Sequence, residues 1–229
     1  MCGYLPAGSY CETGKGVTRP ERLLQRMFMH LNLIITGVGG QGNVLASQIL
    51  GHTAISKGLK VTIGETFGLS QRGGPVMSHL RFSSEKNYAP LIPPNMAHIV
   101  VGLEPLESYR LCAEYGNEQT IFVVNSRPIY PLNVIAGEAD YPSLERVRSV
   151  LGALGGKLYW LNATDTAVEF GGPIMLNMVM VGALCTLPPV PFNTDDIRKV
   201  LPDFIPAAKL EQNYAALDAG RRLIEQIDE

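Results

Sequence analysis

Two clusters of residues in this 229-residue chain have the types and spacing needed to hold an anionic ligand. The first is Gly37-Val38-Gly39-Gly40-Gln41-Gly42, a GxGxxG pattern followed by Asn43. In such a turn the first glycine allows the tight bend, the second lets backbone approach a ligand, and the third lets helix and strand pack closely. A helix that starts there presents unpaired N–H groups and a partial positive charge, which suits a phosphate or pyrophosphate. The second cluster, Ser70-Gln71-Arg72-Gly73-Gly74, sets a planar guanidinium and an amide among glycines. Arg72 reads as an anion contact, because glycine neighbours let its fork approach a ligand. The alternative is a structural arginine paired with Glu65 or Glu107, the anion contact being the favoured reading, and Gln71 is the weaker candidate of the two.

The elements that must position these residues follow from the apolar pattern. Leu31 to Thr36 is a strand-length apolar run, and the residues after Asn43 have helical spacing over 43–57. The glycines therefore sit on a strand-to-helix turn. A further strand over 59–63 leads to Glu65, near the place where a dinucleotide site puts an acid for a ribose hydroxyl; Glu65 could also cap the following turn. The glycines could likewise serve only the turn and its packing. Residues 76–82 alternate with period two, Val76, Ser78, Leu80 and Phe82 on one face and Met77, His79 and Arg81 on the other. This predicts a half-exposed antiparallel strand with His79 on the exposed face. Such an insertion is not standard dinucleotide-domain design.

Taken together, GVGGQG and the stretch from Glu65 to Phe82 resemble the gamma-type domain of the 2-oxoacid:ferredoxin oxidoreductases, and the indolepyruvate (arylpyruvate) branch in particular. The resemblance covers nearly everything from Met29 onward. It includes Ala97 to Glu107, a strand leading into a Glu-containing helix start, the strand Thr120 to Asn125, and the Asn177-containing helix within 171–184. His98 stands where many relatives have an aspartate. The resemblance implies an α/β, Rossmann-like three-layer sandwich, mostly parallel with an added antiparallel strand. It also implies a subunit without a cofactor of its own. A large alpha subunit would carry thiamine diphosphate and [4Fe-4S] clusters, coenzyme A would be the shared co-substrate, and ferredoxin the electron acceptor. On this reading Gly37, Gly39, Gly40, Gln41, Gly42, Asn43, Glu65, Gln71, Arg72, Gly73 and Gly74 line the coenzyme A side of the cleft. Pyruvate and 2-oxoglutarate enzymes share the domain, so the 2-oxoacid stays open.

Composition bounds the alternatives. Hydrophobic residues make up 46% of the chain and charged residues 17%, against roughly 25% for an ordinary soluble domain. Low charge fits a surface covered by another chain, and it fits a large buried sheet equally well. A net charge of −2 leaves no electrostatic footprint for nucleic acid or an anionic membrane. Cys2, Cys11, Cys112 and Cys185 contain no CxxC pair, so neither an iron–sulfur cluster nor a structural zinc is encoded, and Cys112 and Cys185 read as core thiols. Residues 1–28 lack periodicity and an apolar signal core; they read as an N-terminal extension, with 29–229 as the functional domain and a cytoplasmic location.

A phosphate loop of the GxxxxGK[ST] type, a GxSxG elbow, an HExxH pair and a thiamine motif are all missing from the sequence. The rival readings are a self-sufficient NAD(P)- or FAD-binding Rossmann oxidoreductase and a noncatalytic nucleotide-binding module. Downstream, the pattern predicts strands at 97–103, 120–125 and 157–161 and helices near 105–115, 143–154, 164–170 and 173–186. A helix capped by Asn193 or Thr194 follows, then a last helix over 207–227 with Leu210, Tyr214, Leu217, Leu223 and Ile224 inward.

Overall fold

The computed structural model describes residues 29–68 and 74–228. Residues 1–28 and the candidates Gln71, Arg72 and Gly73 lie outside the described residues. The strands are β1 (His30–Val38), β2 (Lys60–Phe67), β3 (Pro75–Ser83), β4 (Ile99–Gly102), β5 (Ile121–Asn125) and β6 (Lys157–Leu161). They form one sheet in the order β2-β3-β1-β4-β5-β6. β1, β4, β5 and β6 run parallel, whereas β3 pairs antiparallel with both β1 and β2.

The sheet is covered on both faces, as the near-continuous apolar runs of β1, β4 and β5 require. Helices α1 (Asn43–Ser56), α5 (Ala163–Glu169), α6 (Leu176–Leu184) and α8 (Leu210–Asp228) cover one face, against Leu31, Leu33, Ile35 and Val101. Helices α2 (Pro105–Tyr115) and α4 (Leu144–Leu154) cover the other, against Ile34, Val100, Phe122 and Val124. Two short helices, α3 (Leu132–Ile135) and α7 (Thr194–Val200), complete the set. Asn193 rather than Thr194 caps α7, in a capping box with Asp196. The last helix begins as a 3-10 turn over Ala207–Lys209, and Leu217 and Ile224 of the expected stripe are buried. Helices α6 and α8 cross closely at Gly182 and Gly220, where an added Cβ would collide with the carbonyl oxygens of Leu217 and Val179 respectively.

Two sequence expectations need correction. The first strand–helix–strand unit does not place its strands side by side, because β3 lies between β1 and β2. The antiparallel strand is thus interior, paired along its whole length on both edges. For the same reason the face carrying Met77, His79 and Arg81 is not exposed: His79 is wholly buried and Arg81 nearly so. Period-two polarity usually marks a solvated face, but here it marks polar side chains with internal partners. Arg81 Nε donates to Asn32 Oδ1 at 3.0 Å, and its Nη1 donates to the carbonyls of Ala89 and Leu91, each at 3.1 Å.

Candidate functional site

The chain winds outward from β1 in both directions, through α1 on one face and from β4 through α2 on the other, so the switch point falls between β1 and β4. Open α/β sheets bind ligands in the crevice at the carboxyl ends of their strands at such a point. The glycine loop occupies that crevice. Gly37, the penultimate residue of β1, sits in close contact, since a Cβ there would collide with Gln41 Oε1. Gly42, at φ 85° and ψ 24°, precedes α1 without any side-chain cap, which leaves the first amides of this 14-residue helix for a ligand or solvent.

Gln41 has a role that its place in the motif did not reveal. Leu103 N donates to Thr36 O at 2.8 Å, and a regular parallel ladder would continue from Val38 N to Leu103 O. Instead the Gln41 carboxamide is inserted into that rung, its Oε1 accepting from Val38 N at 2.8 Å and its Nε2 donating to Leu103 O at 2.9 Å. The side chain therefore wedges β1 and β4 apart at the crevice and presents the loop backbone rather than its own polar atoms. Asn43 is also structural in its donor, reaching Val76 O at 3.1 Å and Ile35 O at 3.3 Å, while its buried Oδ1 has no protein partner.

The second glycine motif meets the first. Gly39 N donates to Gly74 O at 2.9 Å, which brings the end of the Gln71–Gly74 stretch against the loop. Glu65 does not take the dinucleotide position. It lies within β2, one strand removed from β1, and its two carboxylate oxygens accept from Ser47 Oγ at 2.7 Å and Ser78 Oγ at 2.9 Å. It ties α1, β2 and β3 together, and the inserted strand keeps it from the loop as a ribose ligand.

Two clefts flank the loop. The larger, about 530 Å³, runs between Val38–Gln41 and Arg127–Ile129, over Thr164, Val168, Ile174 and Leu176. Its size is within the common range for small-molecule sites. The smaller, about 290 Å³, lies between the loop, Val44, Phe67 and Val76. Val44, Phe67, Ile129, Val168 and Ile174 are exposed apolar side chains, and all five line these two clefts.

The far wall of the larger cleft is fixed by residues that sequence reasoning did not single out for it. Glu104, buried at the start of α2, accepts through Oε2 from Glu107 N at 2.9 Å. Its Oε1 accepts from Tyr141 Oη at 2.6 Å and Ile129 N at 3.2 Å. Burial, and next the bond to Glu104, push the Tyr141 hydroxyl well above its ordinary range, so it remains a donor. Asn125 holds the same wall from below: its Nδ2 donates to Leu103 O and Thr164 Oγ1, and its Oδ1 accepts from Thr164 N at 3.1 Å. A buried asparagine ending a strand was the available signal. Glu107 is paired with Arg110 at 2.8 Å, and burial raises its carboxyl. Asn177 is buried on α6 against Gly42, where a Cβ would collide with Asn177 Nδ2, and its Oδ1 accepts from Met178 N.

Among the described residues no cluster of three or more His, Cys, Asp or Glu side chains is placed to hold a metal ion. Nor is any single helix there long and apolar enough to cross a membrane; one bent pair, α5 with the segment Pro173–Leu184, passes only when combined.

Comparison with known proteins agrees with this geometry. A model of the family described as pyruvate ferredoxin/flavodoxin oxidoreductase matches residues 32–223. Indolepyruvate oxidoreductase subunit IorB of Pyrococcus horikoshii is 34% identical over 197 residues, spanning 86% of this chain and 96% of that protein. The 2-oxoglutarate synthase subunit KorC of Methanothermobacter thermautotrophicus (strain Delta H) is 29% identical over 192 residues, 83% of this chain and 93% of that one. Among solved structures, the gamma subunit of a keto/oxoacid ferredoxin oxidoreductase from Geobacter sulfurreducens aligns with a TM-score of 0.63 at 21% identity, over 86% of this chain and 99% of that one. The 2-oxoglutarate:ferredoxin oxidoreductase from Magnetococcus marinus, solved with 2-oxoglutarate, coenzyme A and succinyl-CoA bound, aligns with a TM-score of 0.68 at 23% identity, over 86% of this chain and 31% of that one. At these identities the two structures establish the fold.

Proposed function

The chain belongs to the pyruvate ferredoxin/flavodoxin oxidoreductase family, and on that premise we propose that it is the small subunit of a cytoplasmic 2-oxoacid:ferredoxin oxidoreductase acting on indolepyruvate or a related arylpyruvate. The complex converts a 2-oxoacid and coenzyme A to acyl-CoA and carbon dioxide and passes two electrons to ferredoxin. Thiamine diphosphate and [4Fe-4S] clusters, which supply the decarboxylation and the electron path, belong to a large alpha subunit. Residues 29–229 of this chain form the domain that faces it.

This chain's own share is to bind and enclose coenzyme A. The observation that carries the reading is the Gly39–Gly74 hydrogen bond, which joins the two glycine motifs at the switch-point crevice beside an uncapped helix N-terminus. Backbone amides at Gly40, Gly42 and Asn43 are suited to a phosphate. Gln71, Arg72 and Gly73 belong to the same site, with Arg72 as its cation. The five exposed apolar side chains around the clefts fit burial by the partner. The 34% identity to indolepyruvate oxidoreductase subunits, against 29% for the 2-oxoglutarate subunit, supports the arylpyruvate assignment.

The test is anaerobic co-purification with the large subunit, followed by iron and thiamine analysis and assay of arylpyruvates with coenzyme A and ferredoxin. Arg72→Ala in the assembled complex raises the Michaelis constant for coenzyme A about tenfold or more, the loss of one charge-assisted hydrogen bond. A chain that copurifies alone with NAD or FAD would sink the proposal, and unchanged kinetics in Arg72→Ala would remove Arg72 from the site.

A further inference from the structure

Arg127 faces the glycine loop from the opposite wall of the 530 Å³ cleft. Among the described residues lining the two clefts beside the loop it is the one with a full positive charge. Its backbone is held on both sides. Asn125 Nδ2 reaches Arg127 O at 3.4 Å, Pro128 follows directly, and Ile129 N is pinned to Glu104 Oε1 at 3.2 Å. The guanidinium, by contrast, stands free enough to exchange partners. Its Nη1 donates to Asp165 Oδ1 at 2.8 Å, and the two side chains are 59% and 57% exposed. A guanidinium carries five N–H donors, so most of them remain available to another acceptor. Asp165 is itself held in place, its Oδ2 accepting from Asn162 Nδ2 at 2.8 Å. A pair this exposed adds little to folding stability. A fixed backbone that carries a loosely engaged cation into a largely apolar cleft is the arrangement expected of a ligand contact.

We infer that Arg127 binds a phosphoryl group of the ligand in the larger cleft, and that Asp165 competes with that ligand for the guanidinium. The ligand is elongated and partly apolar, with phosphates at one end: the apolar wall of Val168, Ile174 and Leu176 takes its arm, while the loop amides and Arg127 grip its charge from two sides. The inference rests on the proposal that coenzyme A is bound here. It adds a cation supplied by the β5 side of the switch point.

The two partners make opposite predictions, which a merely structural ion pair would not. Calorimetric titration of coenzyme A into the assembled complex, without 2-oxoacid, gives a dissociation constant raised about tenfold or more in Arg127→Gln. In Asp165→Asn the same constant falls severalfold, because the competing carboxylate is gone. The Michaelis constant for the 2-oxoacid stays at the wild-type value in both variants. Dephospho-coenzyme A locates the contact: a penalty that vanishes with it assigns Arg127 to the 3′-phosphate, and one that persists assigns it to the pyrophosphate. If both variants leave coenzyme A binding unchanged, or weaken it alike, the pair is structural and the inference is overturned. A wild-type complex that neither binds coenzyme A nor oxidises 2-oxoacids overturns the proposed function itself, a result visible before any variant is made.

Discussion

The wedge formed by Gln41 between β1 and β4 can be tested by removing it. In Gln41→Ala, Leu103 O loses one of two donors but keeps Asn125 Nδ2 at 3.1 Å, so that end costs little. Val38 N, on a buried residue, loses the acceptor at 2.8 Å and has no other partner across the splayed strands. An orphaned buried N–H costs about 1–3 kcal/mol, so the variant should lose about 2 kcal/mol, or about 4–8 °C in melting temperature for a domain of this size. Urea and thermal unfolding of wild type and variant measure it. Gln41→Glu separates the two halves of the wedge, since it keeps an acceptor for Val38 N and sets an anionic oxygen against Leu103 O. That repulsion raises the folded-state carboxyl above its unfolded value of about 4.3. A group raised on folding contributes stability that is complete below the unfolded value and is lost as pH rises through the folded one. Gln41→Glu should therefore be destabilised at neutral pH and recover relative to wild type on acidification. A loss below about 0.5 kcal/mol in Gln41→Ala would mean the strands simply close the rung themselves, and a Gln41→Glu variant with no pH dependence of its own would refute the wedge geometry.

Two further expectations concern the frame. His98 Nδ1 accepts from Asn32 N at 2.8 Å and His79 Nδ1 from Ile92 N at 3.3 Å, roles open only to neutral imidazole. Burial lowers both histidines; the Arg81 guanidinium lowers them further, and Glu114 partly offsets this at His79. Because the folded values lie below the unfolded value of about 6.5, stability is full above that pH and falls as pH drops toward the lowered values. The urea midpoint should decline from pH 8 to pH 5, and a flat profile would contradict the assignment. Gly182→Ala should cost about 1–3 kcal/mol or more by forcing α6 off the Leu217 carbonyl; chemical denaturation with a cost near zero would show that the helices separate freely.

Much of the frame was legible because each element carries a local signature. β1 and β5 are apolar runs of strand length, α1 begins at a glycine turn, and α7 begins at an asparagine followed three residues later by an acid. Strand order is a different matter. The segment from Pro75 to Ser83 was recognisable as antiparallel, yet nothing local says that it inserts between β1 and β2 rather than adding at an edge. That one undetermined pairing left Glu65 open between a ribose ligand and a turn cap, neither of which is its bonding to Ser47 and Ser78, and it misplaced His79, read as exposed. At the site, the glycines announced the loop, but the function of Gln41 depends on Leu103, which lies 62 residues away. The Glu104–Tyr141–Ile129 link joins three segments whose proximity only the tertiary fold creates.

The interior position of β3 also governs how the chain can be made. β1 is paired along one edge by residues 75–83 and along the other by residues 99–102. As the chain leaves the ribosome, β1, α1 and β2 emerge with no strand to pair β1 and no way to pair with each other in the final register. The apolar run from Leu31 to Ile35 therefore keeps both edges open until residues 75–83 have emerged, and one edge open until some seventy further residues, through Gly102, have followed it. Open apolar edges are where chains associate wrongly. The parallel half of the sheet thus closes only after the antiparallel half, and the edge of β1 that β4 will cover is the one left open longest.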